Sequence, residues 1–395
     1  MDLWPITDWI TLLLRWTHVV AGIAWIGSSF YFIALDSSLK KRDGLEAGVG
    51  GEAWQVHGGG FYRMQKYLVA PSFLPKELTW FKWEAYATWI FGFALLVAVY
   101  YSQPRLYLID PAVCSLSAGN AVLIALISFP LAWLVYDGLC RSALGRNQGT
   151  LAIAGLVLLL AVIWILTHLF GGRGAYMQIG ALVGTIMVAN VFIVIIPNQK
   201  KIVADLIAGE TPDPRLGAQG KQRSLHNNYL TLPVVFLMIS NHYPSISSGP
   251  MNWLVVSGVF VVGFLVRHFF NLKHSGRMEW WLFPAAGLVM AVLIVVTLPN
   301  KQEVGAAAPV GFPRVQQIVQ VRCQVCHSAT PHYPGIGEAP KGVKFDTPAE
   351  IAAHAPQIYT QAVASKAMPL SNLTGITDEE RRALGLWVTS GSRIQ

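Results

Sequence analysis

Residues 150–170 read TLAIAGLVLLLAVIWILTHLF, and this stretch decides the class of fold. It contains no Asp, Glu, Lys or Arg. Coiled as an α-helix it is about 30 Å long, the thickness of the hydrocarbon layer of a bilayer. A helix on the surface of a soluble protein has a polar face; this one has none. Working outward, the same signal recurs and gives eight expected spans, at 9–35, 84–102, 118–139, 150–170, 174–197, 227–243, 251–271 and 280–299. The sixth is short and polar at both ends. Trp4, Trp9, Trp80, Trp83, Trp253, Trp280 and Trp281 fall near span ends, where aromatic belts form at the membrane–water boundary. The chain is 53% hydrophobic and 13% charged, whereas a soluble protein carries about 25% charged residues. The fold class expected is therefore an all-α polytopic membrane bundle over residues 1–300.

The net charge of +8 could suggest nucleic acid, but the basic residues are not gathered on a soluble face. They alternate between connections. Lys40, Lys41, Arg42, Arg63, Lys66, Lys76 and Lys82 follow the first span, Arg141 and Arg146 the third, Lys200, Lys201, Arg215, Lys221 and Arg223 the fifth, and Lys273 and Arg277 the seventh. The even connections hold only Arg105 and Arg173. Cytoplasmic loops are rich in Lys and Arg, so eight spans put both termini outside, in the periplasm of a bacterial inner membrane. Met1 to Asp8 has no basic flank of the kind that precedes a cleaved signal peptide, so the first span is expected to remain as an anchor. The segment from Gly58 to Lys82 is too polar to cross and reads as interfacial or partly re-entrant.

After Pro299 the composition changes. Residues 301–312 read as a linker rich in Ala, Gly and Pro, and residues 313–395 have soluble character. A helix is expected over Arg314 to Val321. Thr377-Asp-Glu-Glu380 forms a capping box for a last helix reaching Trp387. Between them lies Cys323-Gln-Val-Cys326-His327. Two thiols at this spacing add across the vinyl groups of a haem and leave the next residue beneath the iron, so His327 is the expected proximal ligand. A Cys-X-X-Cys pair alone would also fit a zinc half-site or a redox dithiol; the adjoining His and the lack of a second Cys pair argue against both. Met368, before Pro369 and therefore on extended backbone, is the expected second iron ligand, with His332 and His354 as alternatives. This order of helix, haem motif, long loop, Met-Pro and final helix resembles class I cytochrome c. Cys114 and Cys140 fall on opposite sides of the membrane and read as small buried hydrophobes.

Ionisable residues within spans are costly and often functional. Arg15 and His18 lie in the first span, where Gly22 and Gly27 thin the helix surface. His18, His168 and His242 form one layer, near the outer face. His57, His226, His268 and His274 form another, near the inner face. Paired histidines can hold a b-type haem between helices, so the outer set are candidate ligands of a membrane haem b. The same residues could simply bind polar groups at helix ends. His226-Asn-Asn-Tyr229, Ser240-Asn-His-Tyr-Pro244 and His57-Gly-Gly-Gly60 offer hydrogen-bonding groups suited to a planar, polar, nitrogen-rich molecule, or to caps and turns.

With these segments in view the chain resembles the membrane-bound, cytochrome c-linked urate oxidases, the urate hydroxylases of PuuD type, over nearly its whole length. The resemblance rests on His18-Val-Val-Ala-Gly-Ile-Ala-Trp-Ile-Gly27, His57-Gly-Gly-Gly-Phe-Tyr62, Leu78-Thr-Trp-Phe-Lys-Trp-Glu-Ala-Tyr86, His226-Asn-Asn-Tyr229, Ser240-Asn-His-Tyr-Pro244 and the tail carrying Cys323, Cys326, His327 and Met368. It implies oxidation of urate to 5-hydroxyisourate in purine catabolism. It also implies covalent haem c, and electron delivery to a further cytochrome c or terminal oxidase. Under it, a neutral His is suited to take a proton from urate near pH 7. His57, His226 and His268 are the candidates, with Asn227 and Asn228 orienting the ring. A cytoplasmic site and a periplasmic haem are then separated by about 30 Å of hydrocarbon, which calls for a relay in the membrane. Two other readings stand beside this one. The first is an electron-transfer subunit passing electrons from quinol or a dehydrogenase to cytochrome c without substrate chemistry. The second is a transporter with a fused haem domain, which the absence of an internal repeat disfavours.

Overall fold

A computed structural model of the chain describes residues 4–69, 71, 74–298, 310–334 and 336–394. The linker expected at 301–312 lies outside the described residues except for its last three positions. In chain order the elements are helix α1 (Trp4–Ser38), strands β1 (Val49–His57) and β2 (Gly60–Tyr67), and helices α2 (Trp83–Leu96), α3 (Pro104–Tyr107), α4 (Ala118–Arg141), α5 (Gln148–Leu169), α6 (Gly172–Ala189), α7 (Ile196–Ile207), α8 (Pro214–Ile239), α9 (Pro244–Ser247), α10 (Asn252–His274) and α11 (Leu282–Thr297). The tail adds α12 (Phe312–Arg322), α13 (Pro348–Ala353), α14 (Ala355–Ile358) and α15 (Asp378–Thr389).

Among the described residues six helices are long and apolar enough to cross a membrane: α1, α2 with its extension to Tyr101, α4, α5, α6 continuing into α7, and α10. Of the other two expected spans, 280–299 is the shorter apolar helix α11. The segment 227–243 belongs to the longer helix α8, which opens at the Asp213 cap and Pro214, well before Asn227. It ends at Ile239, because the chain turns through Ser240–His242 into Pro244. His226 therefore sits inside a helix rather than at its start.

The expectation of an all-α fold needs one correction. The stretch expected to lie along the interface, Gly58 to Lys82, begins at the turn of an antiparallel hairpin, β1 against β2, paired from Val49↔Tyr67 to His57↔Gly60. Gly58 and Gly59 form its two-residue turn with φ of +57° and +80°. This is the left-handed geometry that glycine adopts at low cost and that suits the twist of a tight hairpin. The glycines after His57 thus build a defined turn.

The bundle core gathers where α6 passes α4, α5, α8 and α10, around Tyr176, Ile179, Phe170, Leu237 and Phe260, all fully buried. Exposed Leu, Ile, Val and Trp side chains cover the outside of α1, α4, α5 and α11, as lipid-facing surfaces do. Two wide π-helical turns interrupt the bundle, Val97–Tyr101 after α2 and Asn190–Ile195 between α6 and α7. The tail has its own core, in which Phe312 of α12 meets Trp387 of α15 with ring centroids 5.9 Å apart. The expected capping box is present: Thr377 accepts from the Glu380 N–H, and the Glu380 carboxylate accepts from the Thr377 N–H.

Candidate functional site

The polar residues of α8 fan out in different directions, because successive helical positions are turned by about 100°. Arg223, 3% exposed, donates to Asp137 at 2.7 Å and lies over the Tyr136 ring at 4.9 Å. A buried guanidinium needs such a partner. His226 Nδ1 is 2.7 Å from the Tyr136 hydroxyl. Asn227 donates to the Met187 carbonyl at 2.9 Å and accepts from Asn190 at 2.8 Å. Asn190 also donates to Tyr136 at 3.1 Å. Asn190 opens the π-helical turn between α6 and α7, and such turns recur at functional sites. Asn228 points elsewhere: its carbonyl oxygen accepts from Arg267 Nε at 2.7 Å and from Asn271 at 3.0 Å. Arg267 in turn covers the ring of Phe30 on α1 at 3.8 Å. Tyr229 meets His268 Nδ1 at 2.7 Å.

Asn227 forms part of the wall of a cleft of about 490 Å³ between α1, the approach to α2, the α6–α7 turn and α8. Trp25, Phe32, Trp80 and Phe81 give it aromatic surfaces, and Ser28, Gln199 and Ser224 give it donors and acceptors. Flat apolar faces with a few polar groups are the usual make-up of a small-molecule site. Of the five residues expected to act on substrate, Asn227 alone lies on this cleft among the described residues. His226 reaches it through Tyr136 and Asn190. Asn228 faces α10, His268 lies on α10 against Tyr229, and His57 stands at the hairpin turn. Sequence reasoning missed Tyr136, Asn190, Gln199, Arg223 and Arg267. A polar residue inside an otherwise apolar run was the available signal for Asn190 and Arg267.

The outer histidines remain apart. His18 Nδ1 donates to the Thr88 carbonyl at 2.8 Å, and its ring packs so closely on α2 that a Cβ on Gly92 would lie 2.6 Å from it. At Gly22 the close neighbour is Thr88, so this part of α1 is thinned for a helix. His168 donates to Trp164 of its own helix at 2.7 Å, and His242 lies in the turn after α8. Among the described residues no three His, Cys, Asp or Glu side chains form a metal cluster.

In the tail, Cys323 and Cys326 occupy one tight turn, in which the Cys326 and His327 N–H groups both donate to the Cys323 carbonyl. Both thiols are free, and burial pushes Cys323 up to about 12. His327 Nδ1 donates to the Val343 carbonyl at 3.0 Å, which fixes the ring and leaves Nε2 with its lone pair available to a metal. Arg381 donates to the carbonyls of Ala362 and Met368, the latter at 2.7 Å, and so holds the Met368 loop. That loop meets the bundle at α3, beyond the C-terminal end of α2, while the cleft opens at the N-terminal end of α2. The two sites therefore lie at opposite ends of a 19-residue helix, about 28 Å long.

Comparison with known families gives one match: the family described as urate oxidase N-terminal, over residues 5–298. The chain matches no curated protein and no solved structure.

Proposed function

Because the chain belongs to the urate oxidase N-terminal family across its whole helical bundle, we propose that it is a membrane oxidoreductase converting urate to 5-hydroxyisourate in the cleft beside Asn227. Urate and water give 5-hydroxyisourate, two protons and two electrons. The observation that carries this reading is the cleft itself, which offers a purine the two things it needs. Trp25, Trp80 and Phe81 supply faces for a flat ring, and Asn227, Gln199 and Ser28 supply amide and hydroxyl groups for its carbonyls and N–H groups. Asn227 is a binding residue, held in one orientation by Met187 and Asn190. His226 is a positioning residue, since it fixes Tyr136, which fixes Asn190.

The residues of the tail fit a covalent haem c. Cys323 and Cys326 would carry the thioether bonds, and His327 Nε2 would ligate the iron, supported by the Val343 carbonyl. Met368 would ligate from the loop held by Arg381. When bound, such a group supplies a one-electron carrier whose potential is raised by the Met ligand. His18, packed on Gly92 of α2, and His168, bound to Trp164 of its own helix, have separate surroundings, so they do not fit a shared membrane haem b, and none enters the proposed reaction. In this reading residues 1–300 carry the chemistry and residues 313–395 form a class I cytochrome c domain in the periplasm of a bacterial inner membrane. A further cytochrome c or a terminal oxidase would be the next acceptor.

Anaerobic mixing of the purified full chain with urate, followed through its haem absorbance, tests the proposal. Reduction of the haem by urate alone is expected. A haem that stays oxidised until a dehydrogenase or a quinol is added would instead identify an electron-transfer subunit.

A further inference from the structure

The β1–β2 hairpin has a direction. Lys40, just past the C-terminal end of α1, exchanges both backbone hydrogen bonds with Glu52, at 2.9 and 3.0 Å. Lys66, near the same level of the hairpin, pairs with Asp36. Tyr31 donates to Gln55 at 2.9 Å. The base of the hairpin, Gly51–Lys66 and Glu52, is thus tied to residues 36 and 40, and Gln55, nearer the turn, to residue 31. The hairpin therefore folds back along α1, and its tip points toward the apolar length of that helix. No Asp, Glu, Lys or Arg interrupts α1 from Trp16 to Leu35, so Tyr31 stands on the membrane side of Asp36. The tip continues past Gln55 by about 3.4 Å per residue.

The outward face of the hairpin is graded along the same axis. Val56 and Phe61, paired across the strands next to the turn, are 69% and 78% exposed. One step back, Trp54, 53% exposed, pairs with Arg63, whose guanidinium lies 5.8 Å from the indole ring. A further step back, Glu52 is held by Arg63 and Arg42, beside Lys40 and Lys41. Apolar tip, Trp–Arg collar and a base of paired charges follow the order hydrocarbon, headgroup, water. Open strand edges cannot enter hydrocarbon without orphaning backbone groups, so only side chains at the tip can go deeper.

We propose that this hairpin is an interfacial foot, which inserts Val56 and Phe61 into the lipid leaflet reached by the C-terminal end of α1 and keeps its charged base in the water beside the headgroups. Trp54 and Arg63 occupy the headgroup layer, and His57 rides at the lipid boundary. The foot fixes the inner end of α1, and with it Ser28 and Phe32 of the cleft wall, at a constant depth. Side chains at such a boundary reach about 5–10 Å below the headgroups.

The test uses the full chain in lipid nanodiscs, with Cys114→Ala and Cys140→Ala as background. A polarity-sensitive fluorophore is placed at Phe61→Cys, and at Lys41→Cys as a reference on the base. Signal from the background chain is subtracted. The Phe61 label should show blue-shifted emission, quenching by nitroxide lipids and loss of quenching by aqueous iodide, whereas the Lys41 label should show the reverse. A Phe61 label as open to iodide as the Lys41 label overturns the proposal. So does one shielded from both quenchers, since it would be covered by protein. Should Phe61→Cys fail to fold, Val56→Cys reads the same position from the opposite strand.

Discussion

Ser371 Oγ donates to the main-chain carbonyl of Leu106 at 2.8 Å, across 265 residues of sequence. The bond ties the loop that follows Met368 to the end of the bundle remote from the cleft. Asp110, just beyond α3, and Arg381, which holds the Met368 carbonyl, attract one another across the same junction.

Ser371→Ala combined with Asp110→Asn should loosen this junction. A single hydrogen bond is worth about 0.5–1.5 kcal/mol, so the tail should detach more often without unfolding. Faster amide exchange at Leu106–Ile109, with unchanged exchange in α12 and α15, is the expected result. Protection equal to the parent chain would show that other contacts hold the tail.

Asn227 and Asn228 are neighbours in sequence but belong to different surroundings, which separates their effects. Asn227→Ala removes a cleft group and takes one hydrogen bond each from Met187 O and Asn190 Nδ2, at about 0.5–1.5 kcal/mol apiece. Urate kcat/KM should fall by roughly tenfold or more, since 1.4 kcal/mol is a factor of ten. Asn228→Ala leaves the cleft intact and deprives Arg267 of its acceptor, so it should lower thermal stability with KM little changed. Steady-state kinetics and thermal unfolding of both variants check this.

Asp137→Asn leaves the Arg223 guanidinium buried without its countercharge. Removing one partner of a buried pair costs about 3–5 kcal/mol, and the melting temperature in detergent should drop sharply. Arg141 also contacts Asp137, but its side chain is 63% exposed. Arg141→Ala should cost less than about 1 kcal/mol.

Burial raises Cys323 to about 12 and raises Cys326 as well, so in polypeptide without haem neither thiol is appreciably ionised near neutrality. At pH 8 the thiolate fraction at Cys323 is on the order of 10⁻⁴, and thiolate is the reactive form. Iodoacetamide should modify the folded haem-free tail far more slowly than the urea-unfolded chain, by mass spectrometry. A raised thiol pKa favours the folded state below the ordinary thiol range, near 8.5, and that contribution fades as pH climbs toward 12.

Long apolar runs such as 150–170 revealed the helices, because crossing a membrane leaves little freedom in composition. The last helix of the tail was equally legible, since Thr377–Glu380 is a local capping pattern. The hairpin is less legible, because the segment from Gly58 to Lys82 reads as one polar interfacial stretch, whereas its first two glycines close a two-residue turn. The cleft was illegible for a different reason. Trp25, Trp80, Gln199 and Asn227 come from four separate segments, and the bond from Tyr136 to His226 spans 90 residues. Each of those residues alone looks like an ordinary helix or loop position. The pairing of Asn227 with Asn228 by proximity in sequence failed because a helix turns neighbours toward different partners.

A membrane crossed by α2 and its extension, which are long and apolar enough for it, would separate two waters that a living cell holds at different voltages. Carrying an electron between them exchanges about 2.3 kcal/mol with the field for every 100 mV. Chemistry at one pole and a carrier docked at the other would couple turnover to the cell's state of energisation. Discharging the membrane of intact vesicles with an ionophore would then change the speed of urate breakdown without touching a single residue of the protein.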